Sequence, residues 1–409
     1  MARRGANQPS VGGFNQAVIL DQIRRSGGLS RVELAALTGL SAQTVSNITQ
    51  RLMDAGIVAE AGRTSVTPGP GKPRTTLRLA PRSRFALGVH VDPSVLSFVM
   101  LGIDGEVVAR HHHPTPDAND PEHTVRLITR ELERLVDATG VDRTRIVGVG
   151  IAAPGPIDAG RGVVVDPPNL GGWHRVTLRD AIARATGFAV VLDKDVTAAA
   201  VAERWVSTDT TGSFAFLYLG TGLGVGLMLP DDVVRGGSGN AGEIGHIVTD
   251  PTGAPCSCGL RGCVAVSCTP AALVAEAEQL GILPAGRTSD DPVTIDHAFS
   301  ALVGRAGAGD PLSGSLLDRA AHRVARALSV VCNLLDVDRV VLGGPLWSRL
   351  GPWFDPQVAE ALEGLRVARG LHDVTVVGTA LGDDVGAIGA ACLILDEMLT
   401  PRPTSLLRN

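Results

Sequence analysis

The chain has no run of about 18 consecutive apolar residues, and no basic segment followed by a short apolar one near its start. Neither a membrane-spanning helix nor a secretory leader is therefore expected. That places the protein in the cytoplasm, where free thiols bind metal more often than they form disulfides. Charge is sparse: 19% of residues are charged against 44% hydrophobic, a balance that excludes a disordered chain. Lysine is nearly missing; it occurs only at 72 and 194, and every other fixed cation is arginine. That bias reflects genome composition and says nothing of mechanism. At roughly 100–200 residues per domain, the 409 residues predict several domains with ample core.

Cysteine is also scarce, yet three of the six crowd into one stretch, Cys256-Ser-Cys258-Gly-Leu-Arg-Gly-Cys263, ten residues after His246. Thiolate and imidazole donors at this spacing form a closed four-ligand set, which favours a structural zinc ion. Glycines at 259 and 262 supply the turns that wrap such a loop. Cys268 stands as an alternative fourth ligand. It and the remaining cysteines, Cys332 and Cys392, lie in apolar surroundings and read as packing residues.

The net charge of −5 conceals an asymmetry, because residues 1–80 carry a balance of +6 and the remainder −11. A basic end on an acidic body fits a nucleic-acid-binding module joined to something else. Residues 1–11 read as disordered, with Arg3 and Arg4 as an arm. Helical periodicity runs from Asn15 to Arg25. Ser30 and Glu33 form a capping box for a short helix, Arg31 to Leu37, and Gly39 breaks it. Ser41 caps a third helix, Ala42 to Asp54, with Val45, Ile48 and Leu52 on one face. Its other face offers Ser41, Gln43, Thr44, Ser46, Asn47 and Arg51 to base edges or phosphates. Strands at Ile57–Ala61 and Thr75–Leu79 flank a basic, Gly/Pro-rich tip, from which Arg63, Lys72 and Arg74 would reach phosphates or a minor groove. The run from Leu40 to Val58 resembles the winged helix-turn-helix of bacterial repressors, which implies a double-stranded, palindromic DNA operator.

After Pro81 the pattern is α/β. Strands are predicted at Phe85–Val91, Val95–Ile103, Glu106–His111, Ile146–Ile151, Ala189–Leu192, Phe214–Leu219, Arg339–Leu342 and Val374–Val377. Helices are predicted at Asp120–Thr139, from Leu178, and over 196–206, 270–280, 312–335 and Gly382–Leu399. The glycine-rich turn at 220–226 would either cradle phosphate or allow a tight hairpin.

Asp195 after a short strand, this turn, Gly242-Glu243-Ile244-Gly245-His246, the cysteine run, Pro167 to Trp173, Gly343-Gly344 and 386–391 together resemble the ROK family (repressors, open reading frames, sugar kinases) over residues 85–395. The resemblance implies an N-terminal winged helix-turn-helix followed by a two-lobed, actin-like and ribonuclease-H-like body with a zinc loop. It divides the chain at 1–80, a first lobe at 81–200 completed by 382–409, and a second lobe at 201–381 that holds the zinc loop and dimerisation helices. It implies a homodimer or dimer of dimers. It also implies a sugar-type effector between the lobes, with Gly155, Asn169, Lys194, Asp195, Glu243 and His246 as the effector-binding residues.

Three family features decide between kinase and regulator. The kinase loop Asp-x-Gly-Gly-Thr, which grips ATP and Mg²⁺, is here His90-Val91-Asp92-Pro93-Ser94. Proline lacks a donor and a carboxylate repels phosphate. The catalytic segment Glu-Asn-Asp-x-Asn is here Asp193-Lys194-Asp195-Val196-Thr197, so Asp195 keeps the position of the general base. A lysine at 194 would pair with Asp195 and depress its basicity, and it hints at an altered or anionic sugar. The glutamate that follows the last cysteine in relatives is absent from Val264-Ala265-Val266. The expectation is a transcriptional regulator, a repressor of carbohydrate genes without enzymatic activity and without membrane contact. The alternatives are a sugar kinase carrying a DNA-binding domain and a regulator whose cleft binds no ligand.

Overall fold

A computed structural model describes residues 8–64, 74–116, 120–168, 170–206, 212–230, 232–286, 291–367 and 370–399. Helix α1 spans Gln8–Ser26, so the chain is already helical at 8–11, where disorder was expected. The apolar positions Ile19, Leu20 and Ile23 bury one side of it and stabilise the longer helix. Arg3 and Arg4 lie outside the described residues. Strand β1 (Leu29–Ser30) leads into α2 (Arg31–Thr38), where Ser30 and Glu33 close both bonds of the capping box and Gly39 ends the helix in the left-handed region. Helix α3 (Ala42–Asp54) buries Val45, Ile48, Thr49 and Leu52. At ~1.5–3 kcal/mol for each large aliphatic side chain, that stripe outweighs a host of surface pairs. Strands β2 (Val58–Thr64) and β3 (Arg74–Leu79) pair antiparallel and complete a sheet ordered β1-β3-β2. A bulge between Glu60 and Arg63 lengthens β2 beyond the expected end.

The body begins with β4 (Phe85–Val91), β5 (Val95–Gly102) and β6 (Val107–Pro114), an antiparallel meander. Helix α4 (Pro121–Thr139) crosses over to β7 (Ile146–Ala153). The short strands β8 (Ile157–Asp158) and β9 (Val163–Val164), then α5 (Leu178–Thr186), lead to β10 (Val190–Lys194) and α6 (Asp195–Val206). The sheet order is β10-β7-β4-β5-β6. The same topology then repeats. Strands β11 (Phe214–Leu219), β12 (Leu223–Leu229) and β13 (Asp232–Val233) form the meander. Helices α7 (Ala265–Cys268), α8 (Pro270–Gln279), α9 (Pro292–Gly307) and α10 (Pro311–Leu335) cover it. Strand β14 (Arg339–Gly343), α11 (Trp347–Leu365) and β15 (Thr375–Gly378) close the order β13-β12-β11-β14-β15. Two copies of one five-stranded arrangement make the expected two-lobed α/β body. Helices α9 and α11 lay outside the sequence expectation. Pro352 and Pro356 argue against α11, but Leu350, Phe354, Val358 and Leu362 bury a helical stripe that overrides them.

The last helix, α12 (Val385–Leu399), runs between the first sheet and α6. Glycines make this approach possible. A Cβ on Gly150 would sit 1.6 Å from the Ala390 carbonyl oxygen, and one on Gly389 would sit 2.1 Å from that of Ala198. Backbone rests on backbone here, so α6 and α12 pack without side chains between them at these points. Among the described residues no helix is long and apolar enough to cross a membrane.

Candidate functional site

Helix α3 presents a polar face to solvent. Gln43, Ser46, Asn47 and Arg51 are exposed, and Gln43 donates from Nε2 to Asn47 Oδ1 at 2.9 Å. Ser41 and Thr44 are engaged differently. The Ser41 hydroxyl accepts from the Thr44 backbone N–H and pairs with its Oγ1 at 2.9 Å, so both serve the helix cap. Gln50, which the sequence reading passed over, lies exposed on the same face as Gln43 and Asn47. Arg63 and Arg74 sit on the strands bounding the tip, with Arg63 opposite Thr75 and Arg74 opposite Thr64. Lys72 falls outside the described residues.

The expected metal ligands converge. His246, Cys256, Cys258 and Cys263 bring their donor atoms within 4.8 Å of one another. His246 Nδ1 lies 3.4 Å from Cys256 Sγ, and the Cys258 and Cys263 sulfurs are 3.6 Å apart. A tetrahedral zinc with bonds of ~2.0–2.3 Å needs donors about this far apart, so the group fits. The Cys258 backbone N–H donates to Cys256 and, with neighbouring donors, lowers its thiol to about 6, so a thiolate stands ready for ligation. Burial pushes Cys263 up to about 12 in the absence of a cation. Cys268 is not part of the group; it is buried, with Sγ against the Ala320 carbonyl.

Next to this loop lies the cleft. Its inner end is lined by Gly155, Lys194, Asp195, Tyr218 and Glu243, and its outer part by His246 and Cys256 among others. Asn169 falls outside the described residues. Lys194 pairs with Glu243 across the lobes at 2.5 Å and donates to the Ala241 carbonyl at 3.3 Å. It does not pair with Asp195, contrary to expectation. The 49-residue separation of Lys194 and Glu243 hid this partner from local reading. A Cβ at Gly155 would lie 2.8 Å from Lys194 Cε, so the glycine makes room for the lysine stem. Burial raises Asp195 to about 7, outweighing both the Val196 N–H and the Lys194 charge. The carboxyl is thus more basic than usual, not less.

Other inter-lobe ties were not visible beforehand. Arg235 Nε donates to buried Asp193 at 2.7 Å. Asn240 exchanges two bonds of 2.8 Å with the Ile157 backbone, like a fragment of sheet.

The loop after β4 is spent on itself. The Asp92 N–H donates to the Val95 carbonyl, Pro93 has no N–H, and the Ser94 N–H donates to Asp92 Oδ1 at 2.9 Å. The Thr221 hydroxyl also donates to the Asp92 carboxylate at 3.1 Å. No backbone donor of 92–94 is left for a phosphate. Behind it, His90 Nε2 meets the Tyr218 hydroxyl at 2.9 Å, both buried. Burial lowers His90 and raises Tyr218, so both stay neutral near pH 7. Tyr218 is the single tyrosine of the chain, a signal the sequence did contain. The glycine-rich segment makes a tight hairpin, with Leu219 opposite Leu223, and its later glycines serve packing: a Cβ at Gly226 would lie 2.1 Å from the Val196 carbonyl oxygen at the start of α6.

Helix α6 joins the cleft to the N-terminal module. Asp195 opens it and Trp205 lies near its far end. The Arg24 guanidinium of α1 stacks 4.4 Å over the Trp205 ring and donates to the Trp205 carbonyl at 3.2 Å. Trp205 Nε1 reaches Asp396 of α12 at 3.5 Å. Buried residues of α1, α6 and α12 form one continuous core.

A family model described as the ROK family matches residues 87–397, and one described as the MarR family matches 13–64. The chain is 28% identical to a glucokinase of Halalkalibacterium halodurans over 77% of its own length and 96% of that protein. It is 24% identical to a putative xylose repressor of a Caldicellulosiruptor species over 96% and 98%. A solved structure described as a ROK family transcriptional regulator, homolog of the E. coli MLC protein, superposes with a TM-score of 0.76 at 21% identity, covering 98% of this chain and all (100%) of that one.

Proposed function

The chain belongs to the ROK family, and from that premise we propose that it is a DNA-binding transcriptional repressor of carbohydrate-related genes whose operator affinity is set by a sugar-type effector in the cleft. One observation carries the reading: the loop at 92–94 has no free backbone donor, while a winged module docks onto the helix that starts at Asp195. Relatives include proteins named as repressors and as glucokinases. We place this chain among the former, as a cytoplasmic non-enzyme with the domain limits 1–80, 81–200 with 382–409, and 201–381.

In this mechanism two chains of a homodimer, or of a dimer of dimers, present α3 to successive major grooves of a palindromic operator. Gln43, Ser46, Asn47 and Arg51 read bases and phosphates, while Ser41 and Thr44 hold the helix end. Arg63, Lys72 and Arg74 bring the wing to the backbone. Gly155, Asn169, Lys194, Asp195, Glu243 and His246 meet the effector. A ligand that prefers one closure of the lobes shifts the population toward it. Because Lys194 and Asp195 adjoin the start of α6, closure displaces a rod whose far end holds Arg24. His246, Cys256, Cys258 and Cys263 would hold a structural zinc ion, which would fix the loop that carries Glu243.

A second reading, a sugar kinase with a DNA-binding domain, is favoured by Asp195 itself, whose raised pKa of about 7 suits a general base. One experiment separates the two. Purified protein is used to select its preferred duplex from random DNA, and the same preparation is assayed for sugar-dependent ATP turnover. Sequence-preferring binding released by a sugar, with no turnover, is the expected result. Turnover abolished by Asp195→Ala would overturn the non-enzyme reading, and failure to select any sequence would overturn the repressor.

A further inference from the structure

The cleft is divided in two, and its proportions bear on what fills it. The inner compartment encloses about 140 Å³ beside Asp195 and the Lys194–Glu243 pair. The outer compartment, at about 770 Å³, holds more than five times that space. They are contiguous, sharing Asp92, Pro168, Thr221, Gly222, Leu223 and Glu243. The outer volume lies well inside the ~300–1,000 Å³ that ligand pockets occupy, whereas the inner one falls short of it. A single sugar ring seated at Asp195 would therefore leave most of the cleft empty.

Charge narrows the class. The carboxylates facing the space are Asp92, Asp195, Glu243 and Asp296. The one lysine lining it, Lys194, is already bound to Glu243 at 2.5 Å, and Asp296 is answered from behind by Arg349 at 2.7 Å. Asp92 and Asp195 have no such counter-ion, so the described lining is net negative. A phosphate there would meet carboxylates, no unpaired lysine or arginine of the described lining, and none of the 92–94 backbone donors, at a cost in repulsion and desolvation. The rest of the wall mixes hydroxyl side chains, Ser94, Thr221, Ser257 and Thr269, with apolar ones such as Leu223, Val266, Ile295 and Leu346. A surface of this kind receives the C–H faces of sugar rings, while Asp195 and Glu243 accept hydroxyls at one end.

Resting on the reading of the cleft as a sugar site, we propose that its ligand is an uncharged oligosaccharide or glycoside of two or more rings. One ring occupies the inner compartment, and the rest lies along the outer one, from the Asp92 loop past the N-terminus of α8 to Leu346. Lys194 serves as a clasp between lobes, not as an anion receptor.

The full-length protein tests this by calorimetric titration and thermal shift. The probes are glucose, xylose and N-acetylglucosamine; their β-linked and α-linked di- and trisaccharides; and glucose 6-phosphate with ATP as the charged arm. Ala271→Trp fills the outer compartment from α8, and Ile295→Phe fills it more gently from α9 should the first variant fold poorly. A di- or trisaccharide is expected to bind at least tenfold tighter than its component monosaccharide. Either filled variant should erase that advantage and leave monosaccharide affinity within about twofold. If a monosaccharide binds as tightly as every longer sugar, and neither substitution changes anything, the extended-ligand proposal is overturned while the sugar-site reading stands. Tighter binding of glucose 6-phosphate or ATP than of any neutral sugar overturns the charge argument. If no carbohydrate binds at all, the proposal falls together with the reading it rests on.

Discussion

Asp195→Asn should make the protein more resistant to unfolding at alkaline pH, and the gain should vanish in acid. The side chain opens α6 in the inner compartment, and burial raises its carboxyl from an ordinary 3.8 to about 7. The fold therefore favours the protonated form. The sign follows: the contribution to stability is complete below about pH 4, is lost as pH rises, and stops falling once pH passes about 7. Each tenfold change in the ionisation constant is worth ~1.4 kcal/mol, so the whole loss approaches ~4 kcal/mol. The carboxyl edge keeps contact with cleft water, which reduces this, and about 2 kcal/mol is the change expected between pH 5 and pH 8. Asparagine keeps the shape and the oxygen that accepts the Val196 N–H at 2.7 Å, but it does not titrate. Urea unfolding of both proteins across pH 5–8.5 gives the difference directly. If the two stability curves run parallel across that range, Asp195 is not held near neutrality, and the argument for its burial in the cleft fails. The same physics has a second consequence. Sugar hydroxyls that donate to the ionised carboxylate favour that form, so effector affinity should rise from pH 6 to pH 8 in the native protein and stay flat in Asp195→Asn.

The metal reading predicts about one zinc per chain by elemental analysis; none would sink it, and Cys263→Ser should abolish binding and lower the melting temperature markedly. Trp205→Ala removes the surface under Arg24, an interaction worth ~1–2 kcal/mol when shielded from water. Effector binding measured by calorimetry should survive in that variant while effector-dependent release of DNA weakens at least several-fold; full retention of release would dismiss α6 as the transmitting element. Gln43→Ala should alter which base pairs are preferred at about 1–3 kcal/mol of discrimination. Arg74→Ala should instead weaken binding evenly across sequences and reduce the salt slope by about one, and an unchanged slope would remove the wing from the interface.

What the chain announced in its order of residues was whatever depends on near neighbours. The capping box of Ser30 and Glu33, the apolar stripe of α3, the His246–Cys263 spacing and the alternation of strands and helices are local, and all are present in the structure. Local chemistry also exposed the damaged loop at 92–94, because a proline lacks its donor whatever surrounds it. Helix α11 was hidden because two prolines speak against it locally, while its stabilising contacts come from elsewhere. The partners in the cleft were hidden for the same reason. Lys194 finds Glu243 49 residues away, His90 finds Tyr218 128 residues away, and Arg24 finds Trp205 181 residues away. Which of several carboxylates a buried lysine meets is settled by how sheets and helices stack, and so is the loss of water that lifts Asp195. Sequence by itself determined the modules and the family; only the tertiary structure decided which charges cancel, which loop donors remain free, and how far the cleft extends.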